Sequence, residues 1–169
     1  LEPYKDKHTK GTITLGHKDR KKSDIRLGLS TLQDISAIIL QSHHLDETLE
    51  NIVTLVADRA HSEVCSLYLL EEQDDTLVLR ATYGLAAEAV GRVRLKVGEG
   101  LTGLAVEQRK VLSVEEPQSD PRYRYFAGTG EEQFHSFLAI PLFDRNTPLG
   151  VMVIQTLERR TFSADETST

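Results

Sequence analysis

A single cysteine, Cys65, stands among 169 residues. This excludes a disulfide framework and any zinc site built from several thiolates. One unpaired thiol fits a reducing compartment, and the cytoplasm is the expected location. No apolar run approaches the roughly 18 residues needed to span a bilayer, and the N-terminus lacks the layout of a signal peptide. No membrane partner is therefore expected. The patterns G-x-S-x-G, H-E-x-x-H, the Walker loop and C-x-x-C are all missing, so the usual seats of nucleophilic, zinc-hydrolytic, nucleotide-hydrolysing and thiol-redox chemistry are absent. No catalytic residue, no metal ligand set and no cofactor is assigned, and the segment is not expected to be an enzyme.

Basic charge is scarce beyond the first thirty residues. Residues 1–30 hold eight Lys/Arg against four Asp/Glu, and the rest hold twelve against twenty-two. An acidic body argues against nucleic acid as a partner. The basic head reads as a solvated segment, so residues 1–24 are expected to be a flexible tail or linker. Residues 25–169 are expected to form one domain, long enough to bury a core without staples. The chain starts at Leu1 rather than Met. Near its end Ser163 and Glu166 stand in capping-box register, announcing a helix that stops at Thr169. The expectation is an excised piece of a longer protein with its C-terminal helix truncated.

Periodicity supplies the architecture. Leu29, Leu32, Ile35, Ile38 and Ile39 recur at helical spacing. A second helix begins at Leu45, with Asp46 and Glu47 suited to the dipole of its first turn. Its apolar stripe is Leu49, Ile52, Val53, Val56, Ala57 and Ala60. The period then falls to two. Strands are predicted over Glu63–Glu71, Thr76–Thr82, Arg92–Val97, Lys110–Val114, Ser136–Phe143 and Leu149–Thr156. Polar connections such as Glu72-Gln73-Asp74-Asp75 are too short for crossovers, so the pairing is antiparallel. The class is α+β, a central antiparallel sheet of about six strands with the terminal helices packed on one face.

Gly98-Glu99-Gly100-Leu101-Thr102-Gly103 satisfies the dinucleotide fingerprint G-x-G-x-x-G. A true phosphate loop follows a buried parallel strand. Here the preceding residues alternate charged and apolar, as in a half-exposed antiparallel strand. The motif is read as a glycine-permitted turn into a short helix, Leu101–Gln108.

Cys65 falls in a buried strand, where cysteine acts as a small hydrophobe. His43, His44 and His61 make a poor metal cluster. The adjacent carboxylates Glu71-Glu72, Asp74-Asp75, Glu115-Glu116 and Glu131-Glu132 read as solvated turns rather than acid/base pairs. The long irregular stretch Glu115–Glu132 draws attention instead, because loops of this length in compact domains are usually functional or mobile. Its aromatic and arginine residues would roof a cavity on the sheet, or simply pin the loop to it.

The element order and four segments resemble a GAF domain. These are Glu63–Leu69, Gly98–Ala105 with its G-x-G-L-x-G-x-A pattern, Ser136–Leu142 with S-x-L-x-x-P-L, and Leu149–Ile154 followed by Phe162. Within that family, Ala81-Thr82-x-Gly84-Leu85, Asp120-Pro121-x-Tyr123-x-Tyr125 and Glu132-x-Phe134-x-x-Phe137-Leu138 are similar to the sensor domains of nitrogen-branch Enzyme I, a phosphoenolpyruvate–protein phosphotransferase. The region Gln155–Arg160 departs from the cyclic-nucleotide motif of other members, Cys65-Ser66 departs from the bilin-binding Cys-His, and the family's sulfoxide reductases need several cysteines.

The resemblance implies a regulatory, non-catalytic domain that binds a small-molecule effector, glutamine or 2-oxoglutarate, and biases a downstream Enzyme I module. The ligand-binding candidates are Asp120, Arg124, Tyr125, Phe126, His135 and Ser136, with Arg124 as the carboxylate anchor. A homodimer through the terminal helices is expected. The alternative is a dimerisation and signal-relay module without a ligand.

Overall fold

The computed structural model describes residues 32–37 and 44–162. The tail 1–24, most of the first expected helix and the capping box at Ser163 lie outside the described residues. Residues 32–37 are helical. After them come helix α1 (Leu45–Ala60), strands β1 (Val64–Glu71), β2 (Thr76–Tyr83) and β3 (Arg94–Lys96), helix α2 (Gly100–Gln108), and strands β4 (Leu112–Glu115), β5 (Ser136–Asp144) and β6 (Thr147–Thr156). The six strands form one antiparallel sheet in the order β3-β2-β1-β6-β5-β4.

Each sheet face carries its own core. On the first, α1 lays down Leu49, Ile52, Val53, Val56, Ala57 and Ala60, all six residues of the expected stripe. They meet Cys65 and Leu67 of β1, Met152 and Ile154 of β6, and Leu138 and Ile140 of β5, joined by Ile35 and Phe162 from the two ends of the described chain. Burying the Leu, Ile, Val, Met and Phe side chains among them is worth about 1.5–3 kcal/mol each. His44 precedes α1 without making a side-chain cap hydrogen bond. At the other end the Arg160 guanidinium donates to the Ala60 carbonyl at 2.9 Å and the His61 carbonyl at 2.6 Å, meeting acceptors that the helix leaves open.

The second face is covered by α2 and the loop between β4 and β5. Leu101, Ala105 and Val106 pack on Leu77, Leu79, Leu95, Phe137 and Val153. A bulge at Arg80 allows β2 to serve both faces. Leu67 pairs with Ala81 and Tyr68 with Leu79, so Arg80 is the extra residue. The bulge reverses the alternation: Leu79 joins the second core and Ala81 the first.

Two strand edges differ from the periodic reading. β3 is limited to Arg94–Lys96 because the chain at Gly91 and Val93 wraps Leu79 instead of running straight; Gly91 N donates to Leu79 O at 2.7 Å and Leu79 N to Val93 O at 3.0 Å. β4 starts two residues late because Arg109 takes a left-handed turn (φ 55°) and Lys110 N closes α2 on Ala105 O. The fingerprint glycines serve this geometry. β3 is antiparallel to β2, with one residue in and two out, so no parallel strand feeds the motif. Gly103 lies so close to the preceding turn that a Cβ there would stand 2.4 Å from Lys96 O.

Candidate functional site

The loop from Glu116 to His135 crosses the second face as a roof tied at both ends. The Gln118 side-chain amide donates to Phe134 O at 2.6 Å, fastening the first turn of the loop to the last. Glu116 N donates to His135 O at 2.8 Å. Two short 3₁₀ turns, Pro117–Ser119 and Glu131–Gln133, set the bends.

Under the roof lies a void of about 10 Å³, the lower limit for a single water. Its floor is Tyr68, Leu95 and Phe137. One wall is the first turn of α2, Gly100–Thr102, where leading N–H groups have no intrahelical partner. Tyr123, Arg124 and Phe126 hang from the roof and Glu131 closes the side. The tyrosine and phenylalanine rings thus occupy space that an open pocket would leave free.

The polar content of this site is unusual for a core. Glu131 is only 6% exposed. Thr129 Oγ1 lies 3.3 Å from its Oε2. Burial pushes the Glu131 carboxyl up to about 7, with the neighbouring Glu132 charge acting in the same sense and Thr129 and Gln155 opposing. Gln155 of β6 is fully buried. It stands near enough to ease the Glu131 charge, yet neither of its amide atoms reaches hydrogen-bond geometry with any group. The Tyr123 hydroxyl is likewise buried without a partner. Burial also drives the Tyr68 and Tyr123 phenols well above their ordinary range, assisted by the Glu131 charge. Buried polar atoms without partners cost about 1–3 kcal/mol each.

Of the six residues singled out from sequence, the fold brings Arg124 and Phe126 to this void. The Arg124 guanidinium is paired with Glu99 and lies 5.0 Å from the centre of the Phe126 ring. The other four stand elsewhere. Asp120 braces its neighbour Arg122 through bonds of 2.9 and 2.7 Å, which hold its carboxyl down at about 2. Tyr125 points outward, 49% exposed. His135 sits on the surface 2.9 Å from Glu116 Oε2. Ser136 is completely buried, but its hydroxyl accepts from Arg160 N at 2.5 Å, behind β5 rather than under the loop.

Glu131, Tyr68 and Gln155 were not among the sequence candidates. The pair Glu131-Glu132 predicts a solvated turn, but only Glu132 is exposed and Glu131 is buried. Gln155 did leave a trace in the sequence. It shares strand parity with Val151 and Val153, an amide in an otherwise apolar inward series.

Glu115-Glu116 also does more than face solvent. Glu116 holds both His135 and Arg159, whose hydrogen bonds and charges lower its pKa. Cys65 is fully buried and burial pushes its thiol up, in line with a structural role. Among the described residues no group of three or more His, Cys, Asp or Glu is placed to hold a metal ion, and no helix is long and apolar enough to cross a membrane.

Comparison with known proteins fits this architecture. The GAF domain family matches residues 42–169. The phosphoenolpyruvate-dependent phosphotransferase system protein of Escherichia coli K12 is 31% identical over 140 residues, covering 83% of this chain and 19% of that protein. A Nif-specific regulatory protein of Azospirillum brasilense is 28% identical over 137 residues, covering 79% of this chain and 22% of its own length. The chain therefore spans about a fifth of these curated relatives. A solved GAF domain from a phosphoenolpyruvate–protein phosphotransferase of Coxiella burnetii superposes with a TM-score of 0.68 at 33% identity, covering 82% of each chain. With its curled six-stranded sheet, its two cores and a roofed site on the second face, this chain belongs to the GAF domain family and is similar to the GAF domains of phosphoenolpyruvate–protein phosphotransferases.

Proposed function

We propose that this chain is the regulatory small-molecule sensor of a cytoplasmic phosphoenolpyruvate–protein phosphotransferase, answering to nitrogen status through glutamine or 2-oxoglutarate. The observation that carries the reading is the set of unpartnered polar groups under the loop. Tyr123 and the desolvated Glu131 line one small void, and the buried Gln155 amide stands near Glu131. A domain that only relayed movement would gain stability by filling that position with apolar side chains. The presence of these polar groups at this position supports a site that takes a polar ligand.

The void is too small for either effector, so binding requires the Tyr123 and Phe126 rings to swing outward with the loop. Ligand then acts as a wedge between two arrangements of the roof. The loop ends are wired to the exit of the chain: Glu116 holds Arg159, and Thr161 bonds Glu115. A shift of the roof is in this way passed to whatever follows β6. Kinship to a Nif-specific regulatory protein supports the nitrogen reading.

Calorimetric titration of the folded chain with millimolar glutamine and 2-oxoglutarate tests this. Saturable heat from at least one is expected, together with altered amide exchange in residues 116–135 and in the segment after β6. Silence from both would overturn the sensor reading and leave a ligand-free relay or dimerisation module.

A further inference from the structure

Among the described residues Glu131 is the one buried carboxylate, 6% exposed. The Thr129 hydroxyl lies at a long 3.3 Å from it, and no Lys, Arg or His pairs with it among the described residues. Arg124 lines the same void, but its guanidinium is paired with Glu99. An ionised carboxylate buried among neutral groups is driven toward water, whereas the neutral acid is tolerated.

The backbone that carries Glu131 is shaped to turn. Gly128 and Gly130 bracket Thr129 at φ 82° and 83°, and a Cβ at Gly128 would meet nothing within 4 Å. Thr129 is buried, and its carbonyl accepts from Ala86 N at 3.4 Å, just past β2. On the far side the Gln118 amide grips Phe134 O at 2.6 Å, while its contacts with the Glu131 and Glu132 carbonyls are longer, 3.3 Å each. Two glycines on one side and an anchor on the other mark out residues 128–133 as a unit that moves while the loop ends stay tied.

We propose that Thr129–Gln133 is a proton-controlled latch. With Glu131 protonated, the segment seats against the sheet and closes the void. With Glu131 ionised, it swings out about the two glycines and opens the space beneath Tyr123 and Phe126 to solvent. The latch stands apart from the sensor reading, because it is a property of the loop without ligand.

The sign follows from the groups facing Glu131. These are Tyr68 from β1, Tyr123 from the loop and the adjacent Glu132, with Thr129 and Gln155 of β6 as neutral neighbours and the Arg124–Glu99 pair at the start of α2. Burial drives both phenols upward, so neither loses its proton near neutrality. Seated, the Glu131 carboxyl is pushed up to about 7 by burial; swung into water, it returns to the ordinary 4.5. Opening therefore releases a proton between these values. The open fraction rises as pH rises through that window and levels off above it.

Amide hydrogen exchange of the whole chain tests this, because local opening frees particular amides without global unfolding. The reporters are Ala86, bonded to Thr129 O, and Phe134, bonded to Glu131 O at 3.2 Å. Protection factors, which remove the intrinsic pH dependence of exchange, are compared at pH 5 and pH 8. Both reporters should lose protection on the order of 50-fold at the higher pH, while remaining less protected than the paired strands β1 and β6. Glu131→Gln should abolish the slope, and Glu132→Gln, at the exposed neighbour, should keep it. A melting curve checks that each variant folds, and the slope of the parent chain is a test that needs no variant. Protection that is flat with pH in the parent chain would overturn the latch. So would a slope that survives in folded Glu131→Gln, or reporters that exchange only as slowly as β1 and β6.

Discussion

Glu131 and Glu132 are consecutive glutamates with different fates. Glu132 is solvated, whereas Glu131 is turned inward by the 3₁₀ turn that follows Gly130. Its raised proton affinity has a consequence for stability with a definite sign. Between about pH 4.5, the ordinary carboxyl value, and about 7 the folded chain retains a proton that the unfolded chain has lost. The folded state therefore binds more protons across this window, and stability falls as pH rises through it. The whole effect is about 3 kcal/mol. Glu131→Gln removes the slope. Denaturant titrations at pH 5 and pH 8 should show the parent losing stability relative to the variant as pH rises; equal responses would mean that the carboxyl is hydrated. No signal in the sequence separates the two glutamates, because the difference lies in the path of the loop and not in residue type. Gln155 was legible in principle, as a polar residue at an inward position of an apolar strand.

At the scale of elements the periodic patterns carried far. The stripe of α1 is buried residue for residue, because a helix of that amphipathicity has only one way to face a sheet. The strands appear where the alternation placed them, and the errors fall at ends. The Gly91 wrap and the Arg109 turn trim β3 and β4 through backbone hydrogen bonds that side-chain patterns do not encode. The fingerprint segment is a tight packing device. Gly103→Ala would drive a methyl group against Lys96 O, a backbone atom that cannot step aside. A loss of about 1–3 kcal/mol is expected from such overpacking, read as a lower denaturation midpoint with the slope unchanged. A neutral Gly103→Ala would show that α2 can slide away from β3.

Across the whole molecule the segment after β6 acts as a strap. Arg160 seals the end of α1, Ser136 holds Arg160 to β5, and Arg159 joins Glu116 at the foot of the loop. One short stretch thus ties α1, β5, the first core and the foot of the loop together. Arg160→Ala exposes the last carbonyls of α1 to competition with water and should cost about 1–2 kcal/mol. If the strap also transmits ligand binding, the variant should bind effector as before but lose any change in exchange at the end of α1. The homodimer expected from the terminal helices turns largely on residues outside the described part, and sedimentation equilibrium is its direct measurement.

The sequence by itself determined the class of the fold, the antiparallel pairing, the face on which α1 lies and the falsity of the dinucleotide motif. Each of these follows from local rules, namely the period of apolar residues, the length of a connection and the company of a glycine. It also located the loop that roofs the site. Which loop residues look inward was decided only by tertiary structure. An irregular segment has no period, so the direction of each side chain is set by where its ends are tied. Gln118 and Glu116 tie them across residues distant in the chain. That anchoring turned Glu131 and Tyr123 toward the void, left Tyr125 and His135 at the surface and kept Asp120 half-buried on Arg122.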